Sequence, residues 1–216
     1  MNDPRTPIFE GIRAAREDQT FDAGEMEAIH QFLDGLKVRR LPPLEPLAWG
    51  AWVTPLFRDQ VRIMARRLGG AATPSDYMAC MAWESGETFD PAVRNLAGSG
   101  AVGLIQFMPA TARGLGTSSD ALARMTALEQ LGWVERYFQP YRGKLNSLAD
   151  LYMAILWPAA IGKPLDHVLW DKASRPTTYR QNAGLDTDKD GAITKREAVA
   201  KVAAKLAKGL LPGNCA

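Results

Sequence analysis

The sequence predicts a mainly α protein with at most a small β-hairpin. Three observations carry that prediction. Apolar residues recur at helical spacing along most of the 216-residue chain, clear period-2 runs are scarce, and prolines and glycines stand where helices would start and stop. Apolar residues make up 46 % and charged residues 23 %, the balance of a globular chain long enough to bury a core without disulfide staples. The 26 basic and 24 acidic side chains leave a net charge of +2, too even to signal a nucleic-acid or membrane-surface partner.

The elements follow in order. In residues 1–46, Phe21, Met26, Ile29, Phe32, Leu33 and Leu36 recur at helical spacing, with Asp22 as a cap and Glu25 in the capping-box position. The run from Arg39 to Pro46 contains Pro42, Pro43 and Pro46, cannot be helical throughout, and marks a boundary. Phe57, Val61, Met64, Ala65 and Leu68 form one stripe closed by Gly69 and Gly70. Pro74 after Thr73 opens the next helix, which Tyr77, Met78, Cys80, Met81 and Trp83 fill and Gly86 ends. Gly98, Gly100 and Gly103 punctuate a loop, and a small hairpin fits near Val93 to Gln106. Pro109 starts another helix, and Ala121 to Phe138 reads as one long one. Leu148 to Trp157 is apolar all round, as a helix in the middle of a fold would be.

Some function classes are excluded at this level. The longest apolar run, Leu151 to Ile161, is too short to span a bilayer and is broken by Pro158. The first residues contain no apolar stretch of the kind that directs secretion. Cys80 and Cys215 have no metal-ligand spacing; Cys80 reads as a buried small hydrophobe and Cys215 as part of a frayed end.

Glu84 is the first residue with a chemical argument. It stands at the C-terminal end of an apolar helix, before Ser85 and Gly86. Apolar neighbours such as Met81 and Trp83 disfavour its charged form, and so does the negative end of the helix dipole. A glutamic acid kept protonated near neutral pH is a general acid.

The segment that follows adds a resemblance. Glu84-Ser85, then Phe89 and Pro91, then the run from Gly98 to Ala112 (GSGAVGLIQFMPATA) resemble the soluble lytic transglycosylase and goose-type lysozyme superfamily. The match is close over residues 73–112 and looser over 57–170. It implies a lysozyme-like α-helical fold for a catalytic domain spanning 47–172, between an N-terminal helical segment and linker (1–46) and a C-terminal segment (173–216). It further implies Glu84 as the sole essential acid/base and Ser85 as an orienting group. Gly103, Leu104 and Ile105 would line the cleft with main-chain groups, and Gln106 would hydrogen-bond substrate. Tyr152 matches a family tyrosine on a buried helix whose hydroxyl reaches the acid or the substrate's N-acetyl group. Here Met153 stands where the family has asparagine.

Such a site would cleave the MurNAc–GlcNAc β-1,4 bond of bacterial peptidoglycan glycan strands. The reaction would follow the lytic transglycosylase route, giving 1,6-anhydro ends, if Glu84 acts alone. It would be that of a muramidase if a second carboxylate, Glu87 or Asp90, delivers water. The same pattern fits a glycan-binding virion protein that does not cut, or a calcium-binding regulator. The overall look is that of a monomeric phage endolysin or virion-associated lysin. It would stay in the host cytoplasm before release to the wall, or travel in the virion, with no membrane insertion and no nucleic acid bound.

A second motif lies near the C-terminal end. Asp186, Asp188, Asp190, Thr194 and Glu197 supply oxygen at positions 1, 3, 5, 9 and 12 of an EF-hand loop, with Gly191 at 6 and the Ala192 carbonyl at 7. Hard oxygen ligands at this spacing wrap Ca2+, expected here to be structural. The outgoing helix over Lys195 to Leu206 is clear. Pro176 and Gly184 leave little room for an incoming one, so the segment reads as half a hand. A degenerate partner loop over residues 16–25 would align Phe21 with Ile193 and Glu25 with Glu197.

Overall fold

The computed structural model describes residues 45–216 except Leu96 and Ala97, together with residues 24, 25, 27–29 and 31. The chain divides into two compact units, Met1–Glu45 and Pro46–Ala216. Of the described residues of the first unit, 24, 25, 27–29 and 31 are helical and Glu45 is not. The proposed cap Asp22 and residues 16–23 of the proposed partner loop lie outside the described residues.

The second unit is mainly helical, as the periodicity predicted. Helix α1 (Pro55–Leu68) starts on the Thr54 side chain, which accepts from the Phe57 N–H, and buries Phe57, Val61, Met64, Ala65 and Leu68. Helix α2 (Pro74–Glu84) starts on a full capping box between Thr73 and Asp76 and buries every residue from Asp76 to Ala82. Two short helices follow, α3 (Pro109–Gly114) and α4 (Ser119–Ala123). Helix α5 spans Ala127–Phe138 and α6 spans Leu148–Leu156. The long helix expected from Ala121 to Phe138 is thus two. Thr126 and Glu129 form a capping box that starts α5 afresh and ends continuity with α4.

The one sheet among the described residues pairs β1 (Val168–Asp171) with β2 (Ala192–Thr194), antiparallel. Between the strands lies α7 (Pro176–Asn182), and β2 runs into α8 (Lys195–Gly209). Among the described residues, the region expected to hold a hairpin contains isolated bridges, Arg94 to Val102 and Val102 to Phe107.

Helix α2 is the central element. It packs on α1, α6 and α8, while α1 also meets α5 and α8 also meets α6. Residues 47–172 and 173–216 therefore share one core: Ala198, Val199 and Val202 of α8 join the same buried cluster as Tyr77, Met78 and Met81 of α2. The C-terminal end is held rather than frayed. Leu47 and Ala216 exchange backbone hydrogen bonds, of 2.8 and 3.2 Å, and Trp49 Nε1 donates to the Lys205 carbonyl at 2.9 Å. Cys80 and Cys215 are free thiols.

Candidate active site and candidate metal loop

Glu84 is the last residue of α2 and half-buried. Burial pushes its carboxyl up from 4.5 to about 7, with no opposing hydrogen bond or cation among the described residues. Three ionisable side chains feel its charge: Cys80 one turn back on α2, Tyr137 on α5 and Tyr152 on α6. Tyr137 donates its hydroxyl hydrogen to the Ala154 carbonyl at 2.7 Å. The buried Tyr152 hydroxyl accepts from Trp83 Nε1 at 3.0 Å, so its own hydrogen is left to give. The expected tyrosine is therefore fixed to the residue next to the acid.

The turn after Glu84 is stiff. Ser85 is buried, and its Oγ accepts from the Phe89 N–H at 3.1 Å. Its role here is to close the turn. Thr88 Oγ1 donates to the Ser85 carbonyl at 2.8 Å. Glu87, a candidate second carboxylate, is held by Lys205 and by Lys208, the latter at 2.6 Å. Those two lysines, Lys205 first, keep its carboxyl below the usual range. Asp90, the other candidate, accepts from the Ala92 N–H at 2.8 Å on the exposed side of the same turn.

The glycine-rich segment forms a tight loop between the bridged residues Val102 and Phe107. Gly103 has φ +82°, and a Cβ there would lie 2.2 Å from Gln130 Oε1, so only glycine fits. The Leu104 and Ile105 side chains are core. The Gly103 N–H donates to the Val93 carbonyl at 2.8 Å, and the Leu104 N–H donates to Gln130 Oε1 at 2.7 Å. Gln106, at φ +51°, turns its amide inward, with Nε2 donating to the Gly103 carbonyl at 3.1 Å and the Val93 carbonyl at 3.3 Å. Leu104 and Ile105 are 0 % and 2 % exposed as whole residues, so the loop offers little of the main-chain wall expected of residues 103–105 to solvent.

Gln130 is the residue that sequence reasoning missed. It is fully buried on α5, and its Nε2 donates to the carbonyls of Pro91 and Leu122, both at 3.0 Å. One amide therefore ties three segments around the loop. The available signal was a lone polar residue in the apolar stripe of Leu128, Leu131 and Val134.

In the acidic loop three of the proposed ligand residues come together, and Glu197 is not one of them. Carboxylate oxygens of Asp186, Asp188 and Asp190 lie within 4.8 Å of one another. Asp186 Oδ2 accepts from the Tyr179 hydroxyl and from the Gly191 N–H at 3.2 Å. Asp188 Oδ1 accepts from the Asp190 N–H at 3.2 Å, and Asp190 Oδ1 from the Ala192 N–H at 2.7 Å. Asp186 is 8 % exposed, and its Oδ1 has no hydrogen-bond partner among the described residues. A buried carboxylate oxygen left unpaired beside two others fits a hard divalent cation. Glu197 reaches both ends of the loop: Oε1 accepts from the Thr187 N–H at 2.9 Å and Oε2 from the Thr194 hydroxyl at 2.8 Å. Burial pushes the Glu197 carboxyl up, but these hydrogen bonds outweigh it and hold the group low.

One expectation about this loop changes. An incoming helix exists, because α7 and a 3-10 turn over Ala183–Leu185 fit between Pro176 and Asp186. Ile193 pairs with Trp170 of β1, and Phe21, its proposed counterpart, lies outside the described residues.

Four surface concavities of about 290 to 390 Å³ are lined by other residues. The largest of the four lies between Trp52, Phe57, Phe89 and Leu128, and its wall includes the turn that follows Glu84. Among the described residues no helix is long and apolar enough to cross a membrane. Comparison of the chain with models of known protein families, with characterised proteins and with solved structures gives no match.

Proposed function

We propose that this chain cuts the glycan strand of bacterial peptidoglycan at the MurNAc–GlcNAc β-1,4 bond, with Glu84 as general acid and then general base. The carrying observation is a half-buried carboxyl that pairs with no cation among the described residues and that burial pushes up to about 7. Such a group holds a proton at neutral pH and gives it to the leaving glycosidic oxygen as the bond to C1 breaks. As a carboxylate it then takes the proton of the same sugar's C6 hydroxyl, whose oxygen closes onto C1 as a 1,6-anhydro ring. The commitment of Glu87 to Lys205 and Lys208 favours this one-acid route, since it removes the nearest candidate for activating water. The Tyr152 hydroxyl is the donor offered to the sugar's N-acetyl group.

The acidic loop is proposed to hold Ca2+ through Asp186, Asp188, Asp190, the Ala192 carbonyl, Thr194 and Glu197. Bound there, the ion supplies charge neutralisation and cross-linking of the loop, and no step of the cleavage passes through it.

Mass analysis of digested peptidoglycan tests the reaction. Anhydro-muramyl ends are expected; reducing ends would show a muramidase instead. Glu84→Gln keeps the shape and removes the proton, and should slow clearing of a wall suspension at least about 100-fold. Clearing at the wild-type rate by that variant, or none by the wild type, overturns the assignment.

A further inference from the structure

The turn after Glu84 is strained and is tied to a helix distant in sequence. Glu87 and Phe89 have φ of +69° and +52°, values that residues with a Cβ adopt only when their surroundings hold them. Inside the turn, the Glu87 N–H donates to the Ala82 carbonyl at 2.7 Å. Outside it, the Glu87 carboxylate receives the ammonium groups of Lys205 and Lys208, one turn apart on α8. A turn earlier on α8, Lys201 sits over the ring of Trp83, 5.9 Å from its centroid. Lys201 thus faces Trp83, next to the proposed acid, and Lys205 and Lys208 face Glu87, three residues beyond it.

This pairing is built rather than incidental. Glu87 is half-buried, and its side chain is 18 % exposed, against 25 % for Lys205 and 51 % for Lys208. A carboxylate with two charge-assisted bonds in a half-buried setting is oriented more firmly than one in a single exposed pair. It carries no proton to give, and its oxygens are turned to α8.

We infer that Glu87 is a positioning residue: through Lys205 and Lys208 it holds the turn that closes α2 and so sets where the Glu84 carboxyl points. The inference rests on the reading of Glu84 as the acid. The groups that face Glu84 are Cys80 from α2, Tyr137 from α5 and Tyr152 from α6, with Lys201 of α8 over the neighbouring Trp83. None of them is altered by a change at residue 87.

The test compares Glu87→Gln with Lys205→Met/Lys208→Met and with Lys205→Arg/Lys208→Arg, each in the full chain. The Glu84 carboxyl is followed by carbon-13 NMR through a pH titration, and kcat and KM are measured on soluble glycan strands. In the first two variants the Glu84 midpoint should fall toward that of an ordinary glutamate. Their kcat should fall roughly ten- to a hundredfold, with KM changed less than about threefold. The arginine pair keeps both charges and should keep both readouts. If Glu87→Gln does not fold, Lys208→Met, at the more exposed end of the clamp, replaces it. An unmoved Glu84 midpoint overturns the inference whatever the activity does, and so does a loss of kcat that only follows the loss of folded protein. A wild type that cuts no glycan overturns the functional reading instead, and the NMR midpoint then still decides the positioning role.

Discussion

A single carboxyl shows how burial changes the proton affinity of a common residue. Glu84 moves from 4.5 to about 7 because atoms around it exclude water and none of the described residues compensates its charge. That shift has a stability cost with a definite sign. A carboxyl raised above its unfolded value favours the folded state fully below pH 4.5, and this contribution is lost as pH rises through about 7. The loss is on the order of 2 kcal/mol after allowing for partial exposure. Glu84→Gln, which never ionises, should therefore melt about 4–8 °C above the wild type at pH 8 and at the same temperature at pH 4, by calorimetry. A variant that melts at or below the wild type at pH 8 would show that the carboxylate is not desolvated. The rate should show the mirror image, with kcat/KM falling as pH rises past about 7, because the acid must carry its proton. The position of Glu84 at a helix end was legible in the sequence. The fate of Glu87 was not, since its partners come 118 and 121 residues later.

At the scale of elements, capping chemistry is local and could be read, whereas loop architecture depends on a distant amide. The Thr73 start of α2 follows from a few adjacent residues, and so does the Thr126 restart of α5, although the apolar periodicity across it read as one helix. The loop over residues 103–106 is instead set by Gln130, which satisfies one N–H and two carbonyls. Gln130→Leu leaves all three unpaired and should cost about 2–4 kcal/mol in urea unfolding. Gly103→Ala meets the same amide at 2.2 Å and should cost a comparable amount, on the order of 2–3 kcal/mol. In a Gln130→Ala background the Gly103→Ala cost should shrink, leaving the backbone penalty alone. Equal costs in both backgrounds would mean that the contact does not shape the loop.

For the molecule as a whole, α8 joins the acidic loop to the helices that carry the site. Lys195 follows Thr194 in the loop, is buried, and donates to Asp150 Oδ1 at 2.7 Å and to the carbonyls of Ala160 and Lys163. Burial pushes the Asp150 carboxyl up, but Lys195 and the Gly162 N–H outweigh it and hold it ionised. Asp150 lies two residues before Tyr152 on α6. Lys195→Met strands a buried carboxylate and should cost about 3–5 kcal/mol. Saturating Ca2+ should raise Tm over a chelated sample, by about 2.7 kcal/mol of stability at a hundredfold excess over Kd. An identical Tm in calcium and in chelator would remove calcium from the loop. Asp150 was the one charged residue in the run LADLYMAIL, a signal that something must pair with it, but the partner could not be named.

The sequence by itself determined the mainly helical class, most helix starts, the glutamate at the end of an apolar helix and the spacing of the oxygen-bearing side chains in the acidic loop. Each of these is written in residues a few positions apart, where backbone sterics and helical periodicity act directly. Only the tertiary structure decided that Ser85 closes a turn, that Glu87 faces two lysines, that β1 pairs with the acidic loop, and that α8 shares the core of α2. Those outcomes depend on which buried polar groups meet across the core. Burial makes an unpaired polar group costly without saying where along the chain its partner lies.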